Sequence, residues 1–271
     1  QFKADVRSTI DPVLLKKYSW GFATKWDIPY GYAFLKRKKQ FKKVRTIIAY
    51  QKCIIAPLLK ALSYVLFFIL KSVWPDSLGL DSLPIMFKKL HQFLEMTASR
   101  LLLEHNDDLV GFFNSVPQSR ILLAVEQLLE EFLIKFPSPL PKERQCFTVY
   151  LGKVQSESAR VFQGFTTRTK QVNARVIYLS DIPGLVQLSF DLGIFQALNL
   201  LWTQICGTSI GNQVSPVLSN IAVSLLEINW KRGYKILIDA SASTWFMCRY
   251  VDNRLSLTTA SMAKNPAVLK F

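Results

Sequence analysis

Cys248-Arg249-Tyr250-Val251-Asp252-Asn253-Arg254-Leu255-Ser256-Leu257 is the stretch on which the reading of this chain turns. Its two ends alternate in the manner of strands, and Asp-Asn between them is turn chemistry. Both side chains hydrogen-bond locally and tolerate left-handed backbone. The pattern therefore predicts a β-hairpin with one carboxylate, Asp252, at its tip. Such hairpins are common, so the weight of the motif depends on what lies upstream.

The first companion is Asn106-Asp107-Asp108-Leu109-Val110-Gly111-Phe112-Phe113-Asn114-Ser115-Val116-Pro117, with Asp108 lying 144 residues before Asp252. A short apolar strand is predicted over Asp108 to Phe113, with Asp108 opening it. Carboxylates delivered by separate strands are what metal-assisted phosphoryl transfer requires. The second companion is Gly207-Thr208-Ser209-Ile210-Gly211-Asn212-Gln213-Val214-Ser215-Pro216-Val217-Leu218-Ser219-Asn220, where two glycines permit close backbone approach and Ser-Pro opens a helix. The third is a basic block holding eight Lys or Arg residues between positions 36 and 52 with no acidic residue among them.

Composition supports a folded chain with a polyanionic partner. Of 271 residues, 50% are hydrophobic, enough for a substantial core, and 34 Lys and Arg against 19 Asp and Glu leave a net charge of +15. A field of that sign gathers nucleic acid, although a basic ribonucleoprotein subunit or a membrane-surface protein would share it. Four cysteines without paired spacing fit reduced thiols, and two histidines make Cys/His zinc sites poor candidates. The first residue is Gln, consistent with a fragment, and the polar start carries no signal-peptide pattern. The apolar run 54–70 is interrupted by Pro57 and Lys60, and a buried core helix is the expectation there.

Periodicity predicts strands over 32–35 and 44–50, and helices over 54–72, 85–104, 117–136 and 184–202, with a further helix from Ser215-Pro216 to about Trp230. Strands are also expected at Phe147–Leu151, Ala174–Leu179 and Tyr234–Ile238. The order fits an α+β fold with a small antiparallel sheet backed by helices.

Together these segments resemble the reverse-transcriptase superfamily. Asp108-x-x-x-Phe112-Phe113-Asn114 is similar to its first palm motif, and Tyr250-Val251-Asp252-Asn253 to its Tyr-x-Asp-Asp motif, with Asn253 in place of the second Asp. The resemblance implies a right-hand palm and fingers with the thumb absent or incomplete. It implies two Mg²⁺ ions held by Asp108, Asp252 and Asn253, with Asp108 and Asp252 catalytic. Lys38 and Arg45 would meet the triphosphate, Phe113 would be the steric gate against ribose, and Gly211 and Gln213 would line the nascent base pair. The partners so implied are an RNA template, a DNA primer and dNTPs, with other proteins supplying a thumb or further domains and no membrane. The motif style, including Glu227, looks closest to Penelope-like elements and their telomerase relatives, which implies an intracellular, nuclear location. The expected organisation is an N-terminal and fingers region over 1–104, a palm over 105–257 with a fingers insertion at about 144–180, and a truncated tail over 258–271. A catalytically inactive domain retained for RNA binding or structure is the alternative.

Overall fold

The computed structural model describes residues 6, 8, 10–35, 40, 42, 44–79, 83–97, 100–154, 156, 159–165, 169, 171–240 and 244–265. Lys38 and most of the basic loop lie outside the described residues. The chain divides into two compact units, each discontinuous in sequence: residues 1–73 with 113–219, and residues 74–112 with 220–271.

In the first unit a long apolar helix organises the core. Helix α2 (Ala56–Val73) follows a short α1 (Pro12–Lys17) and carries Leu62, Val65, Leu66, Ile69 and Leu70 as a fully buried stripe. That i, i+3, i+4, i+7, i+8 spacing marks one helix face. Helix α4 (Gln118–Lys135) answers it with Ile121, Val125, Leu128, Leu129 and Phe132. Strand β4 (Cys146–Tyr150) closes the cluster through Phe147, whose ring lies 5.9 Å from Phe68 and 5.5 Å from Phe132. The length and composition of α2 would suit a membrane span, but in the fold it is the helix around which this core is built.

Two sheets complete the first unit. One has order β5-β4-β6, with β5 at Val161–Gln163 and β6 at Ala174–Tyr178. The other has order β2-β1-β7-β8. Here β1 (Tyr30–Leu35) and β2 (Val44–Ala49) pair antiparallel from Tyr30↔Ala49 to Leu35↔Val44. Strand β7 (Ile194–Ala197) joins β1 in parallel through Tyr30↔Gln196 and pairs antiparallel with β8 (Leu200–Thr203).

That last hairpin corrects the helix expected over 184–202. Helix α5 spans only Ile182–Asp191, after which the Gly193 amide turns onto the Phe190 carbonyl at 2.9 Å, where a Cβ would stand 2.8 Å from that oxygen. The chain then turns at Leu198 and Asn199, both left-handed at φ +52° and +62°, the backbone of a two-residue hairpin that matches strand twist.

The second unit is a three-stranded antiparallel sheet between helices. Its order is β3-β10-β9, with β3 at Leu102–Asp108, β9 at Trp245–Tyr250 and β10 at Asn253–Thr259. Helix α3 (Leu83–Met96) covers one face through Phe93, whose ring is 5.4 Å from Phe246. Helix α6 (Ser215–Gly233), which belongs to this unit from Asn220 onward, meets the sheet through Trp230, edge-on to Trp245 at 5.4 Å. This small antiparallel sheet backed by helices agrees with the α+β expectation.

Three further expectations change. The helix expected to reach 104 stops at Met96, where Thr97 turns its amide and hydroxyl onto the Phe93 carbonyl. Residues from Leu102 are strand because they pair with β10 over seven positions, so Asp108 ends a strand rather than opening one. The strand expected at 234–238 is instead helix α7 (Lys235–Ala240). Tyr234 donates its amide to Trp230 and Ile238 to Tyr234, and Lys235 pairs with Asp239 at 2.5 Å. Tertiary pairing and helical continuation here outweigh local propensity.

The β7–β8 turn yields a prediction. Leu198 is exposed and left-handed, so its side chain adds backbone cost without burying surface. Leu198→Gly should raise unfolding free energy by about 0.5–1 kcal/mol, measured by denaturant titration.

Candidate functional site

The β3–β10 register decides where the two separated carboxylates stand. Asn253 pairs with Asp108, Arg254 with Asp107, and Asn253 also pairs with Tyr250 across the hairpin. The two-residue turn is therefore Val251–Asp252 rather than the expected Asp-Asn, because Asn253 already pairs in β10, and Asp252 stands beside the end of β3. The Leu109 amide donates to the Asp252 carbonyl at 2.7 Å, and the Asn253 amide nitrogen donates to Asp108 Oδ1 at 3.2 Å. Asp108, Asp252 and Asn253 thus come together at one end of the sheet. Asp108 is exposed and Asp252 half-buried.

Neighbouring Asp107 takes a different role, one the sequence did not reveal. Successive strand residues point to opposite faces, so Asp107 faces with its cross-strand partner Arg254. Arg254 Nε donates to Asp107 Oδ1 at 3.2 Å, and its Nη2 donates to the other oxygen. That hydrogen bond, foremost, holds the Asp107 carboxyl below its usual range.

The Val251–Asp252 turn is tied down from behind. Val251 has φ +58°, a rare conformation for a β-branched residue and one that clusters at functional sites. Its carbonyl accepts from Arg249 Nη1 at 2.8 Å. Arg249 is 1% exposed and pairs with buried Glu227 through Nε at 2.5 Å and Nη2 at 3.1 Å. A charged residue in an otherwise apolar strand, and a single acid along an apolar helix, were the available signals for this pair.

The first unit gathers the remaining motif residues. Gly207, at φ +66°, lies so close to the 113–114 backbone that a Cβ would stand 2.3 Å from the Phe113 carbonyl oxygen. Thr208 donates its amide to that oxygen at 2.5 Å. Gly211, at φ +111°, lies against β2, where a Cβ would stand 2.1 Å from the Ile48 oxygen, and the Ile48 amide donates to Ile210 at 2.8 Å. Only glycine fits either place. The glycine motif is thereby fixed to both Phe113 and the strand bearing Arg45. Gln213 Oε1 is buried and makes no hydrogen bond to any described residue.

Arg45 stands opposite Phe34 on the β1–β2 hairpin, on the same face as Tyr30 and Tyr32. All four side chains are exposed, the three aromatics at 57%, 42% and 56% for Tyr30, Tyr32 and Phe34.

The donors at the β3–β10 end are all oxygen: two carboxylates and, after rotation, an amide. That set suits Mg²⁺, which is held by one or two carboxylates plus substrate phosphates rather than by a closed protein cage. Among the described residues no group of three or more His, Cys, Asp or Glu side chains could hold a metal.

Solved telomerase structures share this fold. Telomerase from Candida albicans in complex with a TWJ fragment of telomeric RNA aligns with a TM-score of 0.61 at 14% identity, covering 92% of this chain and 42% of that one. Apo telomerase from Candida tropicalis gives 0.61 at 15% identity, covering 98% and 44%. The same enzyme truncated from its C-terminal domain gives 0.58 at 14%, covering 95% and 48%. The chain thus spans less than half the length of each. No protein-family model and no curated protein matches its sequence. At these identities the likeness is one of fold, and the chain has a reverse-transcriptase and telomerase-like fold.

The Asp107–Arg254 pair predicts a pH response. A depressed carboxyl pKa stabilises the fold above the unfolded value of about 3.9, and that contribution disappears as pH falls through the folded value. Melting curves from pH 7 to pH 3 should show Asp107→Asn slightly less stable than wild type at pH 7. The two curves should converge below about pH 4.

Proposed function

We propose that this chain is the core of an RNA-directed DNA polymerase of Penelope-like and telomerase-like type, extending a DNA primer on an RNA template with dNTPs. The observation that carries this reading is the convergence of Asp108 and Asp252 at one end of the β3-β10-β9 sheet. Their carboxylates, with the Asn253 amide oxygen, would hold two Mg²⁺ ions. Bound there, Mg²⁺ supplies the Lewis acidity and charge neutralisation that phosphoryl transfer needs.

The chain's own groups have separable tasks. Asp108 and Asp252 hold negative charge and oxygen donors in fixed register. Asn253 must turn its amide away from Asp108 to offer its oxygen. Arg45 suits bidentate contact with a triphosphate, and Lys38 would add a mobile point charge. Phe113, with its backbone pinned by Thr208, is suited to crowd a ribose 2′-hydroxyl. Gly211 and the unpartnered Gln213 oxygen would border the nascent base pair. Tyr30, Tyr32 and Phe34 offer flat rings beside Arg45, a combination that favours single-stranded template. A nuclear location and protein partners would follow from this reading.

One observation favours a second reading. The site has two carboxylates and an amide, and that amide already occupies Asp108. An inactive polymerase-like domain, kept for RNA binding or structure, would tolerate this arrangement.

Extension of a primed RNA template with dNTPs and Mg²⁺ separates the two. Asp108→Asn and Asp252→Asn should each lower kcat by about 10²–10³-fold or more, the order expected when a transition-state contact is lost, with template affinity unchanged. Extension that persists in Asp252→Asn removes the assigned role, and a wild-type chain that binds RNA without extending it favours the second reading.

The fingers hairpin makes a separate prediction, read by titrating a labelled single-stranded oligonucleotide at several salt concentrations. Tyr32→Ala should weaken binding about five-fold or more while leaving the salt slope intact. Arg45→Ala should leave that titration nearly unchanged and instead raise the KM for dNTP in primer extension about ten-fold.

A further inference from the structure

Burying a guanidinium is costly unless every donor finds a partner, and Arg249 shows how fully that demand can be met. Four contacts join it to one stripe of α6: two to Glu227, one from Nη2 to Asn220 Oδ1 at 2.7 Å, and a longer one to Ser224 Oγ at 3.4 Å. Positions 220, 224 and 227 follow helical spacing, so the partners share one face. Its amide donates to the Leu78 carbonyl at 2.8 Å. Neighbouring Gly79 leaves room for the head group, since a Cβ there would stand 3.0 Å from both Nη2 and Asn220 Oδ1.

A guanidinium serving only as the partner of Glu227 would need no contact with the hairpin tip. Arg249 nevertheless spends Nη1 on the Val251 carbonyl, at 2.8 Å. That carbonyl belongs to the peptide immediately before Asp252, and its residue holds the left-handed conformation that valine disfavours. Nothing in the turn's own sequence favours that backbone, because glycine or asparagine would be the usual occupant of the first position. The next carbonyl, that of Asp252, receives the Leu109 amide from the end of β3. One guanidinium therefore links a rigid helix to the peptide plane that orients Asp252.

We infer that Arg249 is a positioning residue: braced by Asn220 and Glu227, it holds the Val251–Asp252 turn in the conformation that sets Asp252 beside Asp108. The kinetic part of this inference rests on the polymerase reading, whereas the conformational part does not. Arg249 touches neither substrate nor metal and acts through the turn.

Two variants of the full 271-residue chain test it. Arg249→Lys keeps a cation beside Glu227 but cannot serve Glu227, Asn220 and the Val251 carbonyl together. Glu227→Leu combined with Arg249→Met replaces the buried pair by apolar side chains of similar size, a change that often leaves stability intact. Amide hydrogen exchange at Leu109 reports the turn directly. Exchange there should accelerate about ten-fold or more in both variants, while β10 amides remote from the turn keep their protection. Extension kcat should fall about ten-fold or more in parallel, with little change in the KM for dNTP. A folded variant whose Leu109 exchange stays at the wild-type rate overturns the inference. If the double variant fails to fold, Arg249→Lys decides alone. A wild-type chain that extends no primer sinks the polymerase reading only, and the exchange measurement then judges Arg249 by itself.

Discussion

The pairing of β3 with β10 is the constraint on which the candidate site depends. Two aspartates 144 residues apart become neighbours because seven consecutive residue pairs, from Asn253↔Asp108 to Thr259↔Leu102, lock one register. Strand side chains alternate with a period of two, so a slip of one residue would exchange the faces of Asp107 and Asp108. The Arg254–Asp107 pair opposes such a slip from one face, and Leu102, Leu255 and Leu257 packing against Phe93 and Phe246 oppose it from the other. The apolar register and the ionic one agree, and the position of Asp108 follows from both.

The first unit solves a different problem, that of bringing loops close enough to share backbone hydrogen bonds. Gly207 and Gly211 each lie where a Cβ would overlap another segment's carbonyl oxygen. Their positive φ values make the approach possible, and the paired amides of Thr208 and Ile48 make it favourable. Tyr50 adds a buried hydroxyl contact to Ser209 at 3.2 Å. The spacing of the two glycines is thus a packing requirement imposed from two sides.

Much of this was legible in the sequence, for reasons that differ from element to element. The Asp252 hairpin, the β1–β2 hairpin and the helices at 56–73 and 118–135 announce themselves by local alternation or helical stripes. The glycine motif was legible because close approach leaves a residue-type signature. What escaped was decided by distant partners. Leu200 to Thr203 has no local feature opposing a helix, yet it becomes a strand by pairing with β7. Lys235 to Asp239 is rich in β-branched residues but continues a helical hydrogen-bond run. Asp107 and Asp108 are indistinguishable as letters, and only the β10 register separates an ion-paired carboxylate from one at the hairpin edge. Arg249 and Glu227 belong to two separate motifs in the sequence, and only the fold brings them together.

The departure at position 253 also acquires a physical meaning from that register. Residue 253 stands directly across from Asp108, so an aspartate there would set two like charges opposite each other on neighbouring strands, which is destabilising. Asparagine removes that repulsion and adds a hydrogen bond from its amide to Asp108 at 3.2 Å. The same change takes one negative charge from any bound divalent cation while retaining an oxygen donor on the other end of the amide. On the polymerase reading, such a site would bind a cation less strongly than one with a third carboxylate, because the Coulomb gain at contact distance scales with the charge that is missing. Placement of the two remaining carboxylates would then matter more, since each would carry a larger share of the ion's binding. The buried guanidinium of Arg249 holds the Val251–Asp252 turn against the preference of Val251, and on that reading it is the reinforcement that two carboxylates would need.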